Sequence, residues 1–139
     1  MTVETTAFRW SDRYSVNIAE LDRQHQDFLA IVHELNQALS AGEGAGVTQS
    51  ILQRLVEYAH THFAAEEALM SEYKFPALLT HSAEHNKFAQ MVAKFLEDYH
   101  AGKAGVPVSL MLFLQTWLKE HTLVSDKAYG SFLNARGAH

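Results

Sequence analysis

The chain has 139 residues, of which 47% are hydrophobic, and sets 11 basic against 16 acidic side chains for a formal net charge of -5. That length favours one domain with a single sizeable core, so residues 1–139 are read as one unit. The lack of cysteine excludes disulfides, iron–sulfur clusters and thiolate zinc sites, and with no basic run there is no footprint for nucleic acid or an anionic membrane surface.

Residues 1–17 read as a non-helical arm. The stretch from Met1 to Thr6 holds an acid and no apolar run, unlike a signal peptide. Phe8, Trp10, Tyr14 and Val16 are expected to pack on whatever follows. The first helix is expected over 18–39, where Leu21, His25, Phe28, Leu29, Val32, Leu35 and Leu39 recur at spacings of three and four. Gly42, Gly44 and Gly46 fall in a small-residue loop. The second helix is expected over 47–73, with Ile51, Leu52, Leu55, Val56, Ala59, His62, Phe63, Glu66, Met70 and Tyr73 on one broad face.

Phe75-Pro76 marks the next break, and Pro76 suits a first helical turn. The third helix, over 76–101, carries His81, His85, Phe88, Val92, Phe95 and Tyr99. Gly102, Gly105 and Pro107 punctuate the last joint. The fourth helix, over 107–135, carries Leu110, Leu114, Trp117, Leu118, His121, Val124 and Phe132. The richest apolar stretch, 108–118, is broken by Ser109, Gln115 and Thr116 and is far short of the ~20 residues a membrane span needs. The expectation is a cytoplasmic, all-α protein. Short loops between long helices give an up-down-up-down antiparallel four-helix bundle over 18–135.

Polar residues share the apolar stripes of this bundle. His25, His62, Glu66, His81, His85 and His121 all face the expected core, where an ionised carboxylate is costly unless paired or bound to a metal. Residues four apart stack on one helix face, so His62 with Glu66, and His81 with His85, each point two side chains in one direction. His121 and Asp126 are five apart, which an ideal α-helix would turn well over a hundred degrees away from each other. Either a π-type irregularity lies between them or the Asp126 side chain reaches around.

Five imidazoles with two carboxylates are ligand chemistry for a non-haem transition metal, and seven ligands exceed what one ion takes. Two roughly octahedral ions offer about twelve positions. Five histidines, two bridging carboxylates and a bridging solvent oxygen leave one open, which suits a small exogenous ligand.

Four motifs carry a resemblance: Leu21-Asp22-Arg23-Gln24-His25, His62-Phe63-Ala64-Ala65-Glu66-Glu67, His81-Ser82-Ala83-Glu84-His85 and His121-Thr122-Leu123-Val124-Ser125-Asp126-Lys127. In order and spacing the chain resembles the hemerythrin family, and within it the single-domain bacterial members. The resemblance implies two iron ions in an oxo- or hydroxo-bridged diiron centre. One would take His81, His85 and His121; the other would take His25 and His62 and keep the open position; Glu66 and Asp126 would bridge. It further implies reversible oxygen binding for carriage, storage or delivery rather than enzymatic turnover, with nitric oxide or small anions as other occupants of the open site. The alternative is an oxygen, nitric oxide or redox sensor acting through a separate partner.

Phe63, Trp117 and Leu118 match residues that line the family's oxygen pocket. Five neutral imidazoles with only two carboxylates leave net positive charge at the site, which favours the ferrous state.

Other polar residues are expected elsewhere. His33, His60, His100 and His139 match no motif and are read as solvent-facing. Glu67 is read as a surface acid. Glu84 and Glu120, each preceding a ligand histidine, are read first as acids of solvated helix faces, with hydrogen bonding to an imidazole as the alternative. Tyr129, three residues after Asp126, is read first as a packing residue, with an approach to the site as the alternative. Thr122 departs from the apolar residue the family often carries there.

Overall fold

A computed structural model describes residues 10–139. A 3-10 turn, Asp12–Tyr14, leads into helix α1, Ala19–Ser40, followed by α2, Gly44–Glu72, and α3, Leu78–His100. The last helix is continuous but changes pitch twice: α4, Val106–Trp117, runs into a π-helical segment, Leu118–Ser125, and on into α5, Asp126–Asn134. Among the described residues there is no strand, and the architecture is the all-α four-helix bundle that the spacing predicts. No helix among them is long and apolar enough to cross a membrane.

The joints differ in detail from expectation. Gly44 and Gly46 lie inside α2, not in the loop, which tightens to Ala41, Gly42 and Glu43. Gly42 takes a positive φ of 74°, a conformation that favours glycine. Pro76 sits in the turn before α3 rather than in its first helical turn. Pro107 does occupy the first turn of α4, two residues after the N-cap Gly105 at φ 79°.

The core has two apolar parts separated by a slab of polar residues that every long helix crosses. One part gathers Phe28, Val32, Leu35, Ile51, Leu55, Phe88, Val92, Leu110, Leu114 and Leu118, all buried. The other gathers Val16, Ile18, Leu21, Met70, Tyr129 and Leu133. Along each helix the apolar spacing continues through the slab, so the histidines and acids occupy positions that are otherwise apolar.

The arm is docked, as expected from its apolar residues. Tyr14 and Val16 are buried and Trp10 packs half-buried on the larger core, while Phe8 lies outside the described residues. Asp22 accepts from Val16 N at 2.8 Å and from Ser15 Oγ at 2.6 Å, and Lys127 Nζ donates to the Ser15 carbonyl. The arm is not wholly non-helical, because Asp12–Tyr14 closes a 3-10 turn.

Two residues expected on apolar faces point outward. Val56 is 45% exposed and Val124 is 64% exposed. For Val124 the cause is the π segment: its wider turn rotates less per residue, so the inward position passes from residue 124 to Asp126.

Candidate metal centre

The seven residues meet in the slab. His25, His62, Glu66, His81, His85, His121 and Asp126 are each at most 3% exposed. His25 comes from α1, His62 and Glu66 from consecutive turns of α2, and His81 and His85 from consecutive turns of α3. His121 lies inside the π segment and Asp126 opens α5. Of the two explanations for their five-residue step, the π irregularity is the one the structure adopts.

The two carboxylates sort the five imidazoles into two sets. Glu66 Oε2 lies 2.8 Å from His62 Nε2 and 3.3 Å from His25 Nε2, and Asp126 Oδ2 lies 3.2 Å from His25 Nε2. The opposite oxygens face the other way. Glu66 Oε1 lies 2.9 Å from His85 Nε2 and 3.5 Å from His81 Nε2; Asp126 Oδ1 lies 3.0 Å from His121 Nε2 and 3.1 Å from His81 Nε2. One half of the site therefore has two histidines and the other three, and each carboxylate gives one oxygen to each half.

The donor set fits a cation. Glu66 Oε1, Asp126 Oδ1 and the Nε2 atoms of His81, His85 and His121 are buried without a hydrogen-bond partner among the described residues. Buried polar atoms are costly in that condition. These five residues offer ligand atoms within 4.8 Å of one another, and His25, His62 and Glu66 form a second such group. Around an octahedral ion with bonds near ~2.1 Å, adjacent donors lie about 3 Å apart and opposite ones about 4 Å.

Electrostatics agree with the geometry. Burial alone would lower the His25 pKa, yet hydrogen bonds to Asp126 and Glu66 and their charge raise it to about 10. Burial likewise opposes charge on His81 and His121, but the nearby Asp126 and Glu66 carboxylates raise His81 to about 9 and push His121 upward. Burial and mutual repulsion oppose ionisation of Glu66 and Asp126, but the surrounding imidazoles hold both carboxyls well below the usual carboxylate range. The slab thus demands positive charge between its carboxylates, from protons or from a metal that displaces them.

The outer nitrogens follow a rule of adjacency. Gln24, next to His25 on α1, accepts from His62 Nδ1 on α2 at 2.5 Å. Glu67, next to Glu66 on α2, accepts from His85 Nδ1 on α3 at 2.8 Å. Glu84, next to His85 on α3, accepts from His121 Nδ1 at 2.7 Å. With Nδ1 donating outward, Nε2 presents its lone pair inward, the tautomer a metal ligand needs.

Glu67 and Glu84 are therefore not acids of a solvated face. One residue along an α-helix is a rotation of about 100°, and in a bundle that direction is the seam with the next helix. Both remain about one-third exposed, while Glu120 is exposed as expected.

Tyr129 also does more than pack. It is fully buried and donates to Glu66 Oε2 at 2.5 Å. Burial, and then the charge of Glu66 and Asp126, pushes its phenol pKa up, which keeps the proton in place. His60, His100 and His139 face solvent, but His33 is half-buried with Nδ1 enclosed.

Aromatic rings close the slab on its wider side. Phe63 stacks on His85 at 3.8 Å and Trp117 on His121 at 3.9 Å, with Leu118 buried beside them. Both stacks are on the three-histidine half. The two-histidine half has Tyr58 against His62 at 4.8 Å. Tyr58 carries no motif signal, although it lies one helical turn before His62 on the same face. Thr122 is buried within the π segment.

Comparisons with known proteins bear on family and fold. A family model for the hemerythrin HHE cation binding domain matches residues 16–133. A bacteriohemerythrin of Methylococcus capsulatus is 30% identical over 122 residues, covering 88% of this chain and 92% of its own. A bacteriohemerythrin of Stenotrophomonas maltophilia is 29% identical over 126 residues, covering 91% and 81%. A crystal structure of wild-type hemerythrin superposes with a TM-score of 0.79 at 29% identity, over 89% of this chain and 95% of that one. A leucine-to-alanine variant of a hemerythrin does so at 0.80 and 27%, over 96% and 98%.

Proposed function

Because the chain belongs to the hemerythrin family, we propose that it is a non-haem diiron protein that binds oxygen reversibly, for carriage, storage or delivery, without enzymatic turnover. The observation that supports this best is the splitting of Glu66 and Asp126, each with one oxygen toward His25 and His62 and one toward His81, His85 and His121. Two cations joined by two carboxylates account for that arrangement; one cation would leave half of the set idle. When bound as a ferrous pair, iron supplies reversible electron transfer to and from oxygen.

The remaining work falls to the protein. His81, His85 and His121 with two carboxylate oxygens would hold one ion, and His25 and His62 with the other two carboxylate oxygens would hold the second. The shortfall puts the oxygen site, open also to nitric oxide or a small anion, on the His25–His62 side. Phe63, Trp117 and Leu118 keep water from the slab. Gln24, Glu67 and Glu84 hold three imidazoles in the ligating tautomer. Tyr129 restrains Glu66 by donating to the oxygen on the two-histidine side.

Anaerobic loading with ferrous iron, followed by admission and removal of oxygen, tests the reading. Two irons per chain and a charge-transfer band that appears with oxygen and vanishes without it are expected. Irreversible conversion would instead favour a redox sensor, and sustained consumption of a reductant an enzyme.

A further inference from the structure

The supports behind the imidazoles are unequal. On the three-histidine half, His85 Nδ1 donates to Glu67 Oε2 and His121 Nδ1 to Glu84 Oε1. Serines fix both acids: Ser82 Oγ donates to Glu67 Oε1 at 3.1 Å and Ser125 Oγ to Glu84 Oε1 at 2.9 Å. On the two-histidine half, His62 Nδ1 meets the neutral amide oxygen of Gln24. His25 Nδ1 is buried with no hydrogen-bond partner among the described residues.

A carboxylate that accepts from Nδ1–H draws the proton toward itself and leaves more electron density on Nε2, which makes the imidazole a stronger donor to a cation. An amide oxygen does this weakly and a missing partner not at all. We infer that Glu67 and Glu84 are positioning residues that make the three-histidine half hold its cation more tightly, so that the two metal positions fill and empty in a fixed order. This rests on the two-cation reading above. It goes beyond ligand number, which favours the same half but is untouched by changes at residues 67 and 84. A chain given one equivalent of metal would fill the three-histidine position first, and the second position would accept a different ion.

Timed iron release tests this. Protein loaded anaerobically with two ferrous ions per chain is mixed with excess ferrous chelator. The unmodified chain should release one iron quickly and one slowly. Glu67→Gln and Glu84→Gln keep an oxygen acceptor but remove the charge, and each should speed the slow phase about 10- to 100-fold while leaving the fast phase within about twofold. Gln24→Glu should do the opposite, slowing the fast phase and narrowing the gap. Circular dichroism of each variant checks that the bundle is intact, and the gain expected of Gln24→Glu cannot arise from misfolding. A single release phase from the unmodified chain overturns the inference. So do glutamine variants that speed both phases equally or neither. A stoichiometry of one iron per chain overturns the diiron reading itself, and is seen before any variant is made.

Discussion

The two ends of the bundle meet the polar slab on different terms. At the wide end, Phe28, Val32, Leu35, Ile51, Leu55, Phe88, Leu110 and Leu114 interlock across all four long helices. That end needs only helical spacing to form. At the narrow end, Leu21, Met70 and Leu133 are completed by Val16 from the arm, by Ile18 at the N-cap of α1, and by Tyr129, whose hydroxyl is tied to Glu66. Asp126, inside the slab, is also the first residue of α5. The narrow end is thus coupled to the charge of the site, and the wide end is largely independent of it.

Removing metal from the loaded protein should break this contrast open most widely. Ligand linkage contributes about 4 kcal/mol at free metal a thousandfold above Kd. Hydrogen exchange should show the loss falling first on α5 and on the start of α1, with the middle of α2 still protected. Uniform loss along all helices would contradict the coupling.

The metal-free protein should then respond to pH through the slab. His25 and His81 are raised from 6.5 to about 10 and about 9, so their contribution is full below about pH 6.5 and is lost as pH rises through 9 to 10. Glu66 and Asp126 are lowered, so theirs is present above their ordinary carboxylate range and lost as pH falls below it. Unfolding midpoints measured by calorimetry should peak between roughly pH 5 and 6.5. Metal, which displaces the protons, should remove the alkaline decline.

A pair of glycine changes sharpens the comparison further. A Cβ on Gly130 would lie 2.9 Å from Val16 Cβ and 3.1 Å from the Val16 carbonyl oxygen, so Gly130→Ala should push the arm off and cost about 2 kcal/mol. Gly46→Ala in α2 meets nothing within 4 Å and should stabilise by about 0.5–1 kcal/mol through helix propensity. Urea titrations of the two variants should move in opposite directions.

The smallest loss is expected for Tyr129→Phe, about 1.5 kcal/mol from one hydrogen bond to a charged acceptor. The same melts should show that loss shrinking at low pH, where Glu66 is protonated.

Much of this was legible in the residues. The helices, the inward histidines and the pairs His62/Glu66 and His81/His85 follow from a rotation of about 100° per residue. Reading one helix at a time ranks Glu67 and Glu84 first as surface acids, with an imidazole partner only the lesser alternative for Glu84. The step that takes them off the apolar stripe brings them to the neighbouring helix, and only the assembled bundle reveals whose imidazole waits there. Whether Tyr129 packs or reaches the site stays open in the sequence for a different reason. Its register against Glu66 depends on rotation accumulated through the π segment, which spacing left unresolved between two explanations. Family resemblance divided the histidines into three and two; the geometry arrives at the same grouping independently, through which carboxylate oxygen each Nε2 approaches.

The π segment also sets what kinds of sequence change the last helix can absorb. Leu118–Ser125 accommodates one residue more than an α-helical path would. Substitutions there alter a side chain and leave the count intact. Deleting a single residue between His121 and Asp126 would leave them four apart, the spacing at which an ordinary α-helix already puts two side chains on one face, so the backbone could give up the π segment with everything downstream still in phase. A deletion between Asp126 and Tyr129, in the ordinary helix of α5, has no such slack, and the Tyr129 hydroxyl and Leu133 would swing out of place together by about 100°. The last helix therefore has room for one lost residue within the π segment and none beyond it.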